Sequence, residues 1–510
     1  MKSKLKLGMQ LCTASMLCSS MGAMAKHTHI TSDSNRPNIL LFVVDDMGWQ
    51  DTSIPFWDKS VPTNRLYRTP NMERLAEAGV TFTDAYASSP VCSPTRTSIM
   101  TGQNPMRTRI SNWIPGEEDG SPNQQKYLVP KWNVSGIKKT QWTLPQMLNS
   151  AGYFTAIIGK GHLGDKGSYA AHPKDIGFDV SVASHHAGHP ASYYVPYGEP
   201  GSSHHVPQLD AFYKDSLYLT DALTKVAVNM IDSLAKHPEN PFFIDLSHYA
   251  LHTPLMEHPE LMQKYLGLGY SRTQARYASM VESMDASLGR VMDALQNNGI
   301  LENTAIFFIS DNGGLVTHGG NEDDGPYATS CYPLRLGKGG AYEGGIRIPM
   351  LVSLPGSKIK SKRVDTPVIT DDLFLTFAQL AGAKIPDSYE SDGVSLLPLW
   401  SGKKKLKRDI PLIWHYPHYW ADFNLRSSFR DIKPYTSIRI GDYKLLYDYD
   451  KSKAELYNLK EDISEKNNII DSHPKKAKEL CDALVRQMKA VDAQTPLDRE
   501  SGKPVAYPHL

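Results

Sequence analysis

Cysteine is the scarcest residue type here that carries chemistry: five among 510 residues, with Cys12 and Cys18 close to the amino terminus. The three that remain, Cys92, Cys331 and Cys481, are too few and too dispersed for a disulfide framework. If Cys92 is committed to chemistry, Cys331 and Cys481 are the one pair left. Neither sign of charge dominates, with 55 Lys and Arg against 54 Asp and Glu, so nothing asks for a nucleic-acid partner. Low-complexity runs and internal repeats are missing, which excludes solenoids and biased tails. No apolar run favours stable membrane insertion. The stretch from Leu7 to Met24 is interrupted by Gln10, Thr13, Ser19 and Ser20. Preceded by Lys2, Lys4 and Lys6 and closed by Ala23-Met24-Ala25, it has the order of a secretory signal peptide cut after Ala25. Its removal leaves 52 basic against 54 acidic residues, a net charge of about −2. The chain is therefore expected to be exported, to the periplasm or beyond the cell.

What is present reads as alternating strands and helices. Asn38 to Val44 is an apolar run that stops abruptly at Asp45-Asp46. Such runs are strands buried on both faces of a parallel sheet. The pattern returns at Tyr153 to Ile158 before Gly159-Lys160, at Phe242 to Leu246 before Ser247-His248, and at Thr304 to Ile309 before Ser310-Asp311-Asn312. Helices are expected from Thr69-Pro70 to Gly79, from Thr143 to Gly152, from Asp215 to Lys236 and from Ser271 to Asn298. This alternation predicts an α/β fold, a large mixed and mostly parallel sheet sandwiched by helices. Ligands bind such sheets beyond the carboxyl ends of the strands, where these polar residues fall.

From Lys403 the grammar changes. Lys403, Lys404, Lys405, Lys407 and Arg408 form a basic, linker-like run that reads as solvated surface. Short strands at Tyr435 to Ile440, Tyr443 to Tyr447 and Glu455 to Asn458, then a helix from Pro474 to Ala490, predict a small antiparallel sheet with a packed helix. The expected organisation is a leader over 1–25, a catalytic domain over 26–402 and a C-terminal subdomain over 403–510.

Three groups of residues carry chemistry. Asp45-Asp46 at one strand end and Asp311-Asn312 at another are oxygen donors whose like charges repel unless a cation lies between them. Lys160, His162 and Lys338 lie in glycine-rich turns, Gly159-Lys160-Gly161-His162-Leu163-Gly164 and Gly337-Lys338-Gly339. Cys92, in Val91-Cys92-Ser93-Pro94-Thr95-Arg96, precedes a helix expected to open near Thr95, a place that favours an anion. Taken alone, Cys92 reads equally as a buried or merely reactive cysteine.

The Cys92, Pro94, Arg96 spacing resembles the signature of the type I, formylglycine-dependent sulfatases of the alkaline phosphatase superfamily. Gly159 to Gly164 resembles that family's second signature, with Gly161 where an aromatic commonly stands. Gly337-Lys338-Gly339 through Glu343, Gly344, Gly345 and Arg347 resembles its lysine segment, and His252-Thr253-Pro254 its histidine segment better than His248 does. Gly441 to Leu445 and Glu455 to Leu459 resemble its C-terminal part. The resemblance implies an alkaline phosphatase-like fold and a sulfuric ester hydrolase. It implies that a maturation enzyme converts Cys92 to formylglycine, whose hydrate attacks sulfur to give a sulfo-enzyme intermediate. It further implies one Ca²⁺ on Asp45, Asp46, Asp311, Asn312 and the modified Cys92. Arg96, Lys160 and Lys338 would offset charge, His252 would protonate the leaving alcohol and His162 would deprotonate the second hydroxyl to expel sulfate.

The substrate is the least defined part. Gly177 to Tyr213 is a long segment without periodicity, rich in histidine and tyrosine, including His185, His186, His189, Tyr193, His204 and His205. Long loops beyond strand ends shape binding sites, and this composition suits a sulfated carbohydrate. The segment also resembles that of secreted bacterial carbohydrate sulfatases. His185 and His186 are the candidates nearest the sugar, with His318 and Arg335 as further substrate-binding candidates. Two other readings stay open: a phosphonate or phosphodiester hydrolase of the same superfamily, and a non-catalytic sulfated-glycan-binding protein.

Overall fold

The apolar run Asn38–Val44 is a strand, β1, with all seven residues buried. The computed structural model describes residues 36–114, 126–128, 134–316, 329, 331–401, 403–419 and 432–510; the expected leader and His318 lie outside them. Seven more strands share the sheet of β1: β2 (Val80–Phe82), β3 (Phe154–Gly159), β4 (Val180–Val182), β5 (Phe242–Ser247), β6 (Thr304–Ser310), β7 (Met350–Ser353) and β8 (Lys362–Val364). Their order in space is β8-β2-β7-β6-β1-β5-β3-β4. Only β7 runs antiparallel to its neighbours, β2 and β6. The remaining neighbours are parallel.

β1 has no polar alternation because it feeds two cores. Leu40, Phe42 and Val44 pack with Met72 and Leu75 of α1 (Pro70–Ala78), Leu223 and Ile231 of α4 (Leu219–Leu234), and Met284 and Leu288 of α5 (Arg272–Asn297). Ile39, Leu41 and Val43 pack with Ile99 of α2 (Cys92–Thr101), Met147 and Leu148 of α3 (Leu144–Ser150), and Phe374 and Phe377 of α6 (Asp372–Ala381). Each such side chain contributes roughly 1.5–3 kcal/mol by leaving water. Local signals set the helix ends: Pro70 occupies the first turn of α1, and the Ser271 hydroxyl accepts from Gln274 N at the start of α5.

Two starts differ from expectation. α4 begins at Leu219, not at Asp215, because Ser216 adopts φ 50°, a left-handed conformation that breaks a right-handed helix, and Tyr218 is extended. α2 begins at Cys92, three residues before Thr95. Pro94 falls within its first turn, where backbone N–H groups have no intrahelical acceptor and a missing one costs nothing.

The second sheet is antiparallel, in the order β9 (Leu412–Tyr416), β10 (Tyr435–Ile440), β11 (Tyr443–Asp448) and β12 (Lys453–Asn458). One face, through Ile413, Ile438, Leu445 and Leu456, packs on Leu480, Leu484 and Met488 of α7 (Pro474–Ala490). The other, through Leu412, Trp414 and Tyr435, covers Tyr86, Val91 and Ile346. The Trp414 indole donates to the Ala87 carbonyl at 2.8 Å. Beneath this face the fully buried Lys444 lies 3.0 Å from Glu343 and 2.9 Å from Glu465. Arg439 joins Asp84 at 2.8 Å, with Arg347 on the same carboxylate.

Candidate active site

Parallel pairing puts the strand ends level. Val44 pairs with Ser310, Val43 with Ser247, and Gly159 also with Ser247. Asp45-Asp46, Asp311-Asn312 and Lys160 therefore leave the sheet along one edge, the place where such sheets bind ligands. Asp46 adopts φ 60°, a left-handed conformation that aspartate tolerates better than most residues. A Cβ on Gly313 would stand 1.9 Å from the Gly344 carbonyl oxygen, so only glycine lets the Asp311 turn lie against the segment that follows Lys338.

Three carboxylates and three cations interlock there. Lys160 Nζ donates to Asp45 at 2.6 Å, Lys338 Nζ lies 2.7 Å from Asp46, and the Arg96 guanidinium meets Asp311 at 2.8 and 2.9 Å. Asn312 Nδ2 donates to Asp46 at 2.7 Å. All of these side chains are buried. Burial and the Asp311 charge push the Asp45 carboxyl well above its usual range. Burial also raises Asp46, but Lys338, His252 and Lys160 outweigh it and hold that carboxyl below the usual range. Burial would lower Lys338, yet the neighbouring Asp46 holds its ammonium above its ordinary value.

The donor set fits a hard cation. Ligand atoms of Asp45, Asp46 and His252 lie within 4.8 Å of one another. Asp45 Oδ1 and Asn312 Oδ1 are buried without a hydrogen-bond partner, and such oxygens are costly to bury unless something binds them. Oxygen donors of this kind suit Ca²⁺ or Mg²⁺.

Cys92 opens α2, 3% exposed, with its Sγ 3.3 Å from His162 Nδ1. His162 Nε2 is held by the Ile114 carbonyl, so Nδ1 is the nitrogen left to accept a proton. Burial and the nearby Lys160 hold this imidazole well below its usual pKa. His252 Nε2 is 3.6 Å from Asp46, and its Nδ1 donates to the Thr253 carbonyl at 2.9 Å. Burial and Lys338 depress its pKa. His248 lies elsewhere, on the helix side of the sheet, 5.0 Å from the Phe42 ring and 2.9 Å from Ser287 Oγ. Burial pushes it down to about 3, so it is a neutral core residue.

The histidine-rich loop reaches the same place. The His185 carbonyl accepts from His162 N at 3.2 Å, and the His185 and His186 rings are 5.2 Å apart. A Cβ at position 161 would stand 2.6 Å from Ser184 Oγ: the loop fills the space that an aromatic would need, and this explains Gly161. The residue that sequence reasoning passed over is His189. Its ring lies parallel to His252 at 5.7 Å and to His204 at 3.9 Å. Only the histidine density of the loop hinted at it. Tyr193 fastens the loop, its hydroxyl 2.7 Å from the Tyr249 carbonyl and 2.9 Å from that of His252.

Arg335 is placed differently from its expected role. Its guanidinium lies 3.6 Å over the Tyr342 ring and donates to the Glu465 carbonyl at 3.0 Å. It ties the Lys338 segment to the residues after β12 instead of joining the Cys92 cluster. Cys331 and Cys481 are free thiols in separate cores, so the pair left open by the sequence is not bonded.

A sheet edge of paired acids, interlocked cations and a helix-start nucleophile position defines a hydrolase of anionic esters. Comparison with known proteins specifies which. The Sulfatase family model matches residues 37–383, and the model for the C-terminal part of N-sulphoglucosamine sulphohydrolase matches 336–494. The chain is 30% identical over 494 residues to a sulfatase of Formosa agariphila, covering 87% of this chain and 86% of that one. It is 30% identical over 388 residues to N-acetylgalactosamine-6-sulfatase of Mus musculus, covering 73% and 68%. Among solved structures, Ps i-CgsB superposes with a TM-score of 0.71 at 29% identity, covering 91% of this chain and 94% of that one. The chain belongs to the sulfatase family and is a sulfuric ester hydrolase.

Proposed function

We propose that the protein releases sulfate from a sulfated carbohydrate, more an oligosaccharide than an intact polymer, with Cys92 carried as formylglycine and one Ca²⁺ held by Asp45, Asp46, Asp311 and Asn312. The observation that carries the reading is the placing of Cys92, at the start of α2 and 3.3 Å from a neutral His162, among buried cations suited to a tetrahedral anion. The sugar is supported by relatives: one is named for N-acetylgalactosamine 6-sulfate, and Ps i-CgsB was solved with k-i-k-neocarrahexaose. The charged and apolar amino terminus supports export, and a formylglycine-generating enzyme is the implied maturation partner. Among the described residues no helix is long and apolar enough to cross a membrane.

The metal, when bound, supplies charge that acidifies a hydroxyl and polarises sulfate oxygens. The aldehyde at position 92, as its hydrate, supplies the nucleophile and a second hydroxyl through which sulfate leaves. The chain's own residues do the rest. Arg96 and Lys160 neutralise the buried acids and orient the nucleophile position, and Lys338 faces the sulfate oxygens. His162 Nδ1 takes the proton of the second hydroxyl, and His252, with Nδ1–H held on the Thr253 carbonyl, delivers a proton from Nε2 to the departing alcohol in its imidazolium form, which an anionic ester alongside it would favour.

Two results test this. His252→Ala is expected to lower kcat on a sugar sulfate by about 10²–10⁴-fold and on an activated aryl sulfate by less than about tenfold, since a phenolate needs little protonation. Equal losses on both would assign His252 to sulfate binding, and His248→Ala serves as the control. Elemental analysis of the purified protein is expected to find one calcium per chain, with affinity reduced on the order of 100-fold by Asp45→Ala or Asp311→Ala. Two tightly held zinc ions would overturn the assignment.

A further inference from the structure

Away from the active site, three cavities are neighbours through shared lining residues. One of about 620 Å³ lies between the two sheets and has Lys404, Lys405 and Lys460 in its wall. It shares Arg347 and Asp365 with a neighbour of about 340 Å³, which in turn shares Trp57 with a third of about 680 Å³ bounded by Tyr332. None of the Cys92 cluster lines any of them.

The walls are fixed and their charge is uneven. Thr366 Oγ1 donates to the Lys404 carbonyl at 2.8 Å, and Arg363 binds the carbonyls of Pro55, Phe56 and Trp57, so the backbone beneath both ends is pinned. Arg347, Arg408 and Arg439 are satisfied by Asp84 and Asp372. Lys404, Lys405 and Lys460 are exposed and make no ion pair among the described residues, and the exposed carboxylates of Asp58, Asp365 and Asp442 line the same cavities. At the other end Tyr332 is 54% exposed, its ring edge-on to Trp57 at 6.3 Å, with Lys59 Nζ 5.1 Å from the Trp57 ring. Trp57 is half-buried against the core, so Tyr332 presents the exposed ring and Trp57 the edge beside it. Ammonium groups without an ion-pair partner attract sulfates, and aromatic rings pack on sugar faces. Their combination along one groove selects against anions that are not sugars and sugars that are not anionic.

We propose that this groove is a second, non-catalytic binding site for a sulfated glycan chain, with Lys404, Lys405 and Lys460 holding sulfates and Trp57 and Tyr332 holding sugar faces. It rests on the carbohydrate reading above for its choice of ligand. The site holds one part of a sulfated oligosaccharide on the enzyme while another sulfate ester of it occupies the Cys92 centre. It gives the basic run at 403–408 a ligand in place of plain solvation.

The test measures binding of dextran sulfate, uncharged dextran and polyglutamate to the full chain carrying Cys92→Ala, at about physiological ionic strength. On that background Lys404→Glu with Lys405→Glu and Lys460→Glu is expected to weaken dextran sulfate by about tenfold or more. Trp57→Ala with Tyr332→Ala is expected to weaken dextran sulfate while leaving polyglutamate unchanged. With Cys92 intact, both sets are expected to keep the wild-type kcat/KM on a small aryl sulfate and the wild-type Tm within a few degrees. Unchanged dextran sulfate binding in both sets, or polyglutamate bound as tightly as dextran sulfate, overturns the site. Failure of the wild-type enzyme to desulfate any defined sugar would overturn the carbohydrate reading instead, whatever the groove binds.

Discussion

Replacing Cys92 by alanine is expected to reduce turnover on the order of 10⁴-fold or more, the scale seen when an enzyme loses its nucleophile. Stability should change little, because the side chain is small and its neighbour His162 stays bonded to the Ile114 carbonyl. The cause is checked separately by mass spectrometry of the peptide spanning Cys92, from a host with the maturation enzyme. An aldehyde in place of the thiol is expected there. An active enzyme recovered solely as the free thiol would sink the formylglycine assignment. Cys331→Ala, which removes a buried thiol 3.8 Å from the Gly314 carbonyl, should mainly affect stability.

Lys444→Met should be the most damaging single change for stability. Lys444 is fully buried between Glu343 and Glu465, and removing the cation leaves two buried carboxyls facing each other. Breaking a buried pair in this way costs about 3–5 kcal/mol. Its pH dependence has a definite sign. Burial already pushes Glu465 up to about 7 even with Lys444 drawing it down, whereas Glu343 is burdened by burial but held at about 2 by Lys444, Arg347 and Arg439. Without Lys444 both folded pKa values rise, and that of Glu465, already above its unfolded value, rises further. Carboxyls of that kind favour folding at low pH and cease to do so as pH rises through the folded value. Denaturant unfolding should therefore show a smaller penalty at pH 5 than at pH 8, and an equal penalty at both would contradict the account.

Much of this architecture can be read from the chain because its central strands have a simple cause. β1 feeds two cores, so its sequence is an unbroken apolar run, and its end at Asp45-Asp46 is the sheet edge itself. β10 and α7 start and stop where turn residues and Pro474 place them. Of the labelled strands not anticipated, β2, β4, β7 and β8 have only three or four residues, too few for a period to register, and β9 has five, all buried, with no polar alternation to mark it. The paired acids, Cys92 and Lys160 were legible because each stands at its own strand or helix end, and Lys338 because glycines on both sides mark its turn. His189 was not: its place beside His252 depends on Tyr193 reaching the Tyr249 and His252 carbonyls, a contact with no local signature. The placing of Arg335 was not legible for a similar reason. It lies next to Lys338 in sequence, but its direction is decided by Tyr342 and by Glu465 from a distant segment.

Val91 is packed beneath Trp414 and Tyr435, and Cys92 beside it is almost wholly enclosed. On the formylglycine reading proposed above, that enclosure would set a clock on biosynthesis. A maturation enzyme would have to grip the segment around Cys92 before β9 and β10, made much later by the ribosome, pack over it. Conversion would then be an event of the newly made chain, and a molecule that closes with its thiol intact would have no route to repair short of unfolding. The yield of active enzyme in a recombinant host is accordingly fixed by a race between maturation and folding, and prolonged incubation of the folded product with the maturation enzyme should not raise it.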